Sequence, residues 1–523
     1  MTDPYRTLLP APRHAAAAAG TFTIDAVTGD PAAVEAALAL LGPLPHRDEN
    51  ALVVRLSSGA PESYRLKVEP GGAEIVAADL DGVRHAVQTL KQLIGPDAYR
   101  AGRRPGGQVP CGEVEDAPAL GWRGGMLDVA RHFQPKRTLL RYVDLLAMHR
   151  MNRLHLHLTD DQGWRLESRK YPVINEIASH RPETLVGRDR NDPVYDGTPH
   201  GGYYTLDDLA EVAAYAAERG ITIVPEIDLP GHATALLAAL PELGNGTGEV
   251  LKGWGISAGV INPVPEVVKV VCELIDELLT ALDTPYVHLG GDECVTTSWD
   301  GGSELHGWFL REVGQYLAGR GRRMVVWDEA FQTGGVLPDT IVMCWRGDAI
   351  ARQAAAAGHD VVRAPVYPTY LDYDQSDLPE EPLSIGGPIT LEDSASFAPL
   401  PESWTDEERA RVLGGQFQTW SEYIPTERHL DYMVFPRACA IAQTVWSGGP
   451  ADHADLVERL SQGHLARLDA AGCEYRPLEG PKPWQQGGTG RRAHSEVNRT
   501  TRERWLEWAA RVPDSGVHSE ATT

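Results

Sequence analysis

The sequence has few cysteines, and their spacing does not indicate a bridged or metal-bound scaffold. Six cysteines are spread over 523 residues, and no two of them form a CxxC pair. Frameworks held by disulfides and zinc knuckles both need closely spaced cysteines, so the sequence predicts neither. We therefore expect an ordinary hydrophobic core, for which 42% hydrophobic residues in a chain of this length are ample.

Long apolar runs and an excess of basic charge are also missing. No run of about 18 apolar residues occurs, so we expect no membrane span. The 48 basic and 73 acidic residues give a formal net charge of −25, whereas binding to nucleic acids and to anionic membranes depends on basic patches. The apolar patch Ala15–Ala19 is too short for a signal-peptide core. We therefore expect a cytoplasmic protein with no nucleic-acid or membrane partner.

The chain divides into three regions of different pattern. Residues 1–115 contain a short helix ending at Gly42, three strand-like runs and an amphipathic helix ending at Gly95, which predicts a small α+β domain. The Gly- and Pro-rich stretch Gly95–Leu120 is typical of a linker or a domain boundary. Residues 116–480 form the second region. Residues 481–523 are predicted to be a polar tail in which "RWLEWAA" forms one or two helical turns.

From Trp122 onward, short apolar strands alternate with helical segments, as in βα units around a parallel sheet. The candidate strands are "GGMLDVA", "MNRLHLHLT", "GITIVPEID", "PYVHLGG", "RRMVVWDE", "TIVMCW", "DVVRAPVYPTY" and "VLGGQFQTW". This number of strands is that of a (β/α)8 barrel of the α/β class with enlarged loops. A doubly wound sheet is the alternative, but no Gly-x-Gly-x-x-Gly turn follows an early strand. We therefore predict the barrel.

Polar and aromatic residues stand at the end of every candidate strand, where a barrel carries its reactive groups. They are Asp128 and Arg131; Asp160, Asp161 and Trp164; Glu226, Asp228 and His232; Asp292 and Glu293; Trp327 and Asp328; Trp345 and Arg346; Tyr370 and Asp372; and Trp420 and Glu422. Carboxylates and an arginine can hydrogen-bond sugar hydroxyls, and aromatic rings can stack on a sugar. Tryptophans at neighbouring strand ends would wall a deep pocket, although each one alone would also suit the core.

Two features of the candidate strands and their ends allow a second interpretation. Asp292 and Glu293 are neighbours whose repulsion would raise one pKa, as a general acid requires, but the pair would also suit a solvated turn before a helix. His155 and His157 alternate along one strand as in metal-dependent barrel hydrolases, but they also suit hydrogen-bonded interior histidines. Walker and nucleophile-elbow motifs are absent. We expect no metal.

Ordered segments of the chain resemble the glycoside hydrolase family 20 β-N-acetylhexosaminidases. They are "MLDVARHF", "MNRLHLHLTDDQGWRLE", "YYTLDDLAEVAAYAAERGITIVPEIDLPGH", "YVHLGGDE", "YLDY" and "GGQFQTWSEYI". The resemblance covers roughly residues 110–450, and the N-terminal piece is similar to that family's non-catalytic first domain. It implies a barrel that hydrolyses terminal β-linked GlcNAc or GalNAc without a cofactor. The implied nucleophile is the substrate's own 2-acetamido oxygen.

The resemblance also implies a catalytic role for each matching residue. Glu293 would protonate the glycosidic oxygen and later deprotonate water. Asp292 would hold the acetamide N–H and stabilise the developing oxazolinium charge, and Tyr370 would orient the acetamide oxygen. Asp160 and His232 would form a relay behind the acid, the alternative for His232 being a helix cap or a core histidine.

A second set of matching residues would bind the sugar. Arg131 would grip the 3- and 4-hydroxyls, and Asp372 and Glu422 would accept hydrogen bonds from the 4- and 6-hydroxyls. The residues that would surround the acetamide and the ring are Trp327, Trp345 and Trp420. Together these roles predict a small carbohydrate as the partner.

Other functions remain open at this stage. An enzyme that releases a disaccharide would need a pocket beyond the 3-hydroxyl, which Arg131 and Glu422 would close. A carbohydrate-binding protein on an inactive barrel would not need Asp292, Glu293 and Tyr370 intact. A metal-dependent hydrolase would lose its activity with a strong chelator. The sequence therefore favours an exo-acting, retaining β-N-acetylhexosaminidase.

Overall fold

The computed structural model describes residues 3–246, 248–487 and 502–512, and a mixed six-stranded sheet forms its N-terminal part. Its strands are β1 (His14–Ile24), β2 (Val27–Gly29), β3 (Leu52–Leu56), β4 (Tyr64–Glu69), β5 (Gly72–Ala77) and β6 (Gly107–Asp116). They lie in the order β1-β6-β4-β5-β3-β2, with helices α1 (Pro31–Leu41) and α2 (Leu80–Ile94). Asp79 caps α2 by accepting a hydrogen bond from Gly82 N–H, and apolar faces of both helices pack into one cluster with the sheet.

Strand β6 lies in a segment for which the sequence predicted a linker. That prediction for Gly95–Leu120 is wrong over residues 107–116, which pair with β1 on one side and β4 on the other. The apolar patch Ala15–Ala19 is part of β1. A Cβ at Gly112 would lie 2.4 Å from the Ala16 carbonyl oxygen, so glycine is required there by the close approach of β1. The glycines and prolines of this segment lower its intrinsic strand propensity. Pairing with its two neighbouring strands nevertheless stabilises it.

A closed barrel of eight parallel strands follows, which confirms the predicted fold class. In chain order the strands after β6 are β7 (Trp122–Asp128), β8 (Arg153–His157), β9 (Thr159–Asp160), β10 (Gly163–Trp164), β11 (His180–Arg181), β12 (His200–Gly201), β13 (Thr222–Glu226), β14 (Tyr286–His288), β15 (Arg323–Trp327), β16 (Ile341–Cys344), β17 (Asp360–Arg363) and β18 (Val412–Phe417). The short strands β9 to β12 form two separate pairs, and the other eight close the barrel. Each of the eight candidate strands overlaps one barrel strand.

Helices surround the barrel and shape its loops. They are α3 (Lys136–Met148), α4 (Leu206–Glu218), α5 (Thr234–Ala239), α6 (Pro265–Ala281), α7 (Gly302–Gly319), α8 (Asp328–Gln332), α9 (Asp348–Ala356), α10 (Val366–Thr369), α11 (Leu391–Ala395), α12 (Asp406–Ala410), α13 (Glu427–Val434), α14 (Arg437–Ser447), α15 (His453–Arg459), α16 (Leu465–Ala470) and α17 (Arg502–Arg511). No helix in the described ranges is both long and apolar enough to cross a membrane. Of the predicted tail 481–523, residues 488–501 and 513–523 lie outside the described residues.

A buried ion pair joins the N-terminal part to the barrel. Arg123 of β7 is wholly buried and pairs with Glu62, whose Oε2 also lies 2.8 Å from His85 Nε2. Burial alone would raise the pKa of Glu62, but the hydrogen bond from His85 and the charge of Arg123 outweigh it and lower the pKa to about 2. The buried guanidinium therefore depends on this carboxylate.

Glu62→Gln is expected to lower the free energy of unfolding by about 3 kcal/mol at pH 7, because it leaves the Arg123 charge without its counter-ion. The folded pKa of Glu62 lies below its unfolded value, so the carboxylate's contribution is present above about pH 4.5 and is lost as the pH falls towards 2. The difference in the free energy of unfolding between wild type and variant should therefore shrink as the pH falls towards 2. Urea unfolding followed by circular dichroism measures this difference.

Asp97→Asn is the matched control, because it removes an exposed carboxylate that pairs with Arg100. Exposed pairs contribute little, so this variant should unfold like the wild type at every pH. An equal deficit of Glu62→Gln at pH 3 and pH 7 would contradict the account of the buried pair.

Candidate active site

Ten of the side chains predicted at the strand ends meet around one cavity at the C-terminal end of the barrel. Its volume is about 160 Å³. The predicted site residues that line it are Arg131, His232, Asp292, Glu293, Trp327, Trp345, Tyr370, Asp372, Trp420 and Glu422. Asp160, the remaining residue to which the family resemblance assigns a role, lies behind the wall in contact with Arg131 and His232. The barrel therefore brings together residues that are up to about 290 positions apart in the chain.

Asp292 and Glu293 stand on a tight turn after β14. Gly290 adopts a left-handed conformation (φ 65°), and a Cβ there would lie 1.7 Å from Asp228 Oδ1, so only glycine fits. Glu293 is also left-handed (φ 47°), and its N–H donates a 2.8 Å hydrogen bond to Glu329 Oε2. Neighbouring residues of a regular strand would point to opposite faces. The turn instead lets both carboxylates line the same cavity.

The pKa of Asp292 is raised to about 6. Burial is the largest cause, and repulsion from Glu293 and Glu226 adds to it, while His232 opposes the shift. The sequence predicted that one pKa of the pair would rise, and the structure places a rise on Asp292. Because Asp292 is buried, the alternative of a solvated acidic turn does not describe it.

His232 connects the carboxylate pair to Asp160. Its Nε2 lies 3.6 Å from Glu293 Oε2 and 4.0 Å from Asp292 Oδ2, and its Nδ1 lies 3.2 Å from Asp160 Oδ1. Burial alone would lower the pKa of the imidazole, but the carboxylates of Asp160 and Asp228 raise it well above its usual range. A charged His232 between two carboxylates is the arrangement that the predicted relay requires.

Asp160 remains ionised behind the cavity. Burial would raise its pKa, but the charges of Arg131 and His232 outweigh burial and lower it well below its usual range. The alternative role of His232 as a helix cap does not hold, because Ala233 occupies the N-cap position of α5. Asp160 is therefore placed to fix the orientation of both of its cationic neighbours.

Arg131 follows β7 and lines the cavity in one fixed orientation. Its Nη2 lies 2.7 Å from Asp160 Oδ2, and its Nε donates a 3.1 Å hydrogen bond to Gln162 Oε1. Asp128 Oδ2 lies 3.4 Å from Nη1, and the guanidinium carbon lies 4.9 Å from the centre of the Trp420 ring. A planar group held in this way suits the recognition of two neighbouring hydroxyls.

Two further carboxylates in the cavity wall have raised pKa values. Burial and the charge of Glu422 raise the pKa of Asp372 well above its usual range. Burial also raises the pKa of Glu422, although Arg131 offsets part of this effect. Burying a carboxyl group costs free energy unless it is hydrogen-bonded, so both side chains are placed to bind hydroxyl groups of a ligand in the cavity.

Aromatic rings form much of the remaining wall. Trp327, Trp345 and Trp420 stand just at or after the ends of β15, β16 and β18. The rings of Trp327 and Trp420 lie 6.0 Å apart at 43°, and Tyr370 lies 6.4 Å from Trp420 at 48°. Each tryptophan therefore packs against its neighbours and also faces the cavity. The two sequence-based interpretations, a core residue and a part of the pocket wall, both apply.

Several lining residues carry a buried polar atom that has no hydrogen-bond partner within the described structure. These atoms are His232 Nε2, Asp292 Oδ1, Trp345 Nε1 and Asp372 Oδ1. Buried polar atoms in folded proteins are nearly always paired, so such a concentration in one cavity points to a polar ligand. Donors and acceptors are mixed, as in a ligand that carries both hydroxyl and amide groups.

The histidines that raised the possibility of a metal site lie inside the barrel and hydrogen-bond to carboxylates. His155 Nε2 lies 3.0 Å from Glu226 Oε2, and His157 contacts Glu226 through Nδ1 and Asp160 through Nε2 at 3.0 Å. His288 Nδ1 lies 3.0 Å from the other Glu226 oxygen. This is the pattern expected of hydrogen-bonded interior histidines.

The sequence did not identify two residues that shape the site. Glu329, which holds the Glu293 N–H, has its pKa raised to about 8, chiefly by burial, with Arg346 opposing the rise and Asp292 adding to it. Its signal in the sequence was a second carboxylate directly after Asp328. Trp505 of α17 lines the cavity, and no local pattern indicated that this segment returns to the barrel.

Comparisons with known proteins agree in sequence and in structure. Residues 120–449 match the family model for the Glycosyl hydrolase family 20 catalytic domain, and residues 5–117 match the model for its domain 2. A β-hexosaminidase from Porphyromonas gingivalis is 35% identical over 465 residues, covering 84% of this chain and 58% of the relative. One from Akkermansia muciniphila is 35% identical over 411 residues, covering 74% and 79%. The chain therefore spans less than two thirds of the Porphyromonas relative.

Solved structures give the same result. A family 20 exo-β-N-acetylglucosaminidase from Vibrio harveyi, in complex with N-acetylglucosamine, is similar with a TM-score of 0.80 at 32% identity, covering 90% of this chain and 78% of that one. The N-acetyl-β-hexosaminidase of Streptomyces plicatus, in complex with Thio-NAglucal, has a TM-score of 0.80 at 30% identity, covering 92% and 98%.

Asp292→Asn is expected to stabilise the protein at pH 8 by about 3 kcal/mol, the equivalent of a pKa raised from 3.8 to about 6. Because the folded state favours the protonated carboxyl, the cost of ionising Asp292 is absent below about pH 4, grows to about pH 6 and stays constant above it. The Tm gain of the variant should therefore be present at pH 8 and absent at pH 4.

Asp283→Asn serves as the control, because the Asp283 carboxylate is 92% exposed. Its Tm should follow that of the wild type at both pH values. A Tm of Asp292→Asn that falls below the wild-type value at pH 8 would contradict the buried, charged environment described for Asp292.

Proposed function

The chain belongs to glycosyl hydrolase family 20, and from this premise we propose that it is an exo-acting, retaining β-N-acetylhexosaminidase. Its substrates would be glycans or glycosides with a terminal, non-reducing, β-linked GlcNAc or GalNAc. The observation that carries the proposal is the cavity itself, in which an adjacent carboxylate pair meets a fixed arginine and a box of indole rings. The names of the relatives, and the N-acetylglucosamine bound to the Vibrio harveyi enzyme, support a small carbohydrate as the ligand.

The size of the cavity supports the release of one sugar at a time. Pockets for drug-sized ligands typically measure roughly 300–1,000 Å³. A cavity of about 160 Å³ suits a single ring and not an extended chain. Arg131 and Glu422 both line this cavity, where they can bind hydroxyls of the terminal ring.

The arrangement of Asp292 and Glu293 supports substrate-assisted catalysis. In the usual retaining mechanism two carboxyl groups flank the glycosidic bond, and one of them attacks the sugar. Here the two carboxylates come from consecutive residues on one turn. We assign the attack to the substrate's acetamide oxygen, with Asp292 holding the acetamide N–H and offsetting the charge of the oxazolinium ring. Tyr370 would orient the acetamide oxygen by donating a hydrogen bond to it.

Glu293 would act as the general acid and then as the general base. It would protonate the glycosidic oxygen as the aglycone leaves, and it would deprotonate the water that opens the oxazolinium ring. His232, 3.6 Å from Glu293 and hydrogen-bonded to Asp160, would stabilise the ionised form of Glu293 by its charge. The overall reaction forms one new C–O bond to water for the one that is broken, and two displacements at the anomeric carbon retain its configuration.

A panel of 4-nitrophenyl β-glycosides tests the proposed function. The GlcNAc and GalNAc glycosides should release nitrophenol, and the glucoside should be essentially inert because it has no acetamide. The chitobioside should lose its terminal GlcNAc first. Direct release of chitobiose, or hydrolysis of the glucoside at a rate similar to that of the GlcNAc glycoside, would contradict the proposal. Loss of activity with a strong chelator would favour a metal-dependent hydrolase instead.

Glu293→Gln is expected to lower kcat by roughly 10²- to 10⁴-fold with a 4-methylumbelliferyl leaving group, because the amide cannot protonate the aglycone. The loss should be much smaller with 2,4-dinitrophenol, which leaves without a proton. The exposed Glu304 provides the control variant Glu304→Gln, which should retain wild-type rates with both substrates. Equal losses with the two leaving groups would argue against Glu293 as the acid.

Arg131→Lys is expected to lower kcat/KM by about 100-fold, nearly as much as Arg131→Ala. An ammonium group cannot hold two hydroxyls as the planar guanidinium does, and hydrogen bonds to charged groups contribute about 1.5–3 kcal/mol. Arg137→Lys, at an exposed position of α3, is the control. Near-normal kcat/KM for Arg131→Lys would exclude the assigned role.

A further inference from the structure

Helix α17 (Arg502–Arg511) reaches the cavity from outside the part of the chain that matches the catalytic-domain model, which ends at residue 449. Its Trp505 is only 6% exposed and lines the cavity together with Asp292, Glu293 and Trp345. An amphipathic helix on the surface of a barrel needs an apolar face, but it does not need an indole in the wall of the cavity that holds the carboxylate pair.

Trp505 extends the aromatic wall that the barrel strands begin. Its ring lies 5.6 Å from that of Trp345 at 36°, and Trp508, one helical turn later, lies 6.0 Å from the same Trp345 ring. The two indoles of α17 lie 4.7 Å apart. Trp505 also belongs to the buried cluster that contains Tyr370 and Tyr373. The helix therefore contacts the cavity on the side of Trp345 and Tyr370.

The position of α17 is fixed by contacts with several barrel loops. Arg502 Nη1 lies 2.6 Å from Asp393 Oδ1 of α11 at the beginning of the helix. At its end, Gln332 Nε2 donates a 3.0 Å hydrogen bond to the Val512 carbonyl. Between them, a Cβ at Gly347 would lie 3.1 Å from Ala509 Cβ, so the helix packs closely on the loop before α9.

We propose that Trp505 is a specificity-determining residue whose indole closes the end of the cavity that receives the 2-acyl group. The inference rests on the proposed function, which places Trp345 and Tyr370 around the substrate's acetamide. Because Trp505 packs on Trp345 and belongs to the same buried cluster as Tyr370, we expect an acyl chain longer than acetyl to meet its ring. The helix thereby excludes sugars with a 2-acyl group longer than acetyl by shape, independently of the chemistry of the carboxylate pair.

The proposal is tested with 4-nitrophenyl 2-acylamido-2-deoxy-β-glucosides that carry an acetyl, propionyl or butyryl group. The wild type should prefer acetyl strongly, since one methylene in a closed pocket changes kcat/KM by roughly 10- to 200-fold. In the full-length Trp505→Ala variant, the butyryl-to-acetyl ratio of kcat/KM should rise at least about tenfold. Trp505→Phe keeps an aromatic ring for folding and should give an intermediate ratio.

Trp508→Ala is the matched control, because Trp508 packs on Trp345 from the same helix but is not among the residues that line the cavity. It should lower kcat/KM for all three substrates alike and leave their ratios close to the wild-type values. The same rise in ratio for Trp508→Ala would mean that the whole helix loosens, which would overturn a specific role for Trp505.

The other outcomes separate this inference from the function on which it rests. If the wild type hydrolyses none of the three substrates, the proposed function fails. If it hydrolyses the acetyl substrate, and folded Trp505→Ala and Trp505→Phe keep its acyl ratios, only the role of Trp505 fails. A change that appears only when the leaving group is varied would place Trp505 on the aglycone side and would also overturn the inference.

Discussion

The burial of charge inside the barrel is the constraint on which the site depends. Glu226 lies in the interior and pairs with His157, which also contacts Asp160. Asp160 in turn contacts His232, whose other nitrogen faces Glu293 at the cavity. A buried charge is tolerated only when it is paired, so carboxylates and imidazoles have to alternate along this series of contacting side chains. This alternation places a cationic imidazole beside the last member, Glu293.

The pairing of buried charges becomes incomplete where this series of side chains reaches the cavity. His232 cannot offset both the burial of Asp292 and the repulsion from its neighbours, so the pKa of Asp292 is raised to about 6. The same place carries backbone strain, because His232 and Glu293 are both left-handed without being glycine. Such residues cost about 1–3 kcal/mol each and persist where the surroundings hold them, as Glu329 holds the Glu293 N–H. Incomplete charge pairing and backbone strain therefore coincide at the position where a ligand would bind.

The sequence could predict the parts of the structure that follow from local pattern. The eight barrel strands were found from apolar runs, and strand ends pointed to the cavity residues because a barrel brings its carboxyl ends together. Strand β6 was missed because it depends on its partners β1 and β4 and not on its own composition. Glu329 and Trp505 were missed for a related reason. Their importance lies in contacts with Glu293 and Trp345, and spacing along the chain does not reveal such contacts.

The central claim is that the attacking atom belongs to the substrate and not to the protein. It is tested most directly by kcat/KM for a series of 4-nitrophenyl β-glycosides whose 2-acetamido group carries no, one, two or three fluorines. Each fluorine withdraws electron density from the acetamide oxygen, so the account predicts a steep and progressive fall in kcat/KM across the series. A rate that is independent of the number of fluorines would contradict it, because attack by Asp292, Glu293 or water would not require a nucleophilic acetamide.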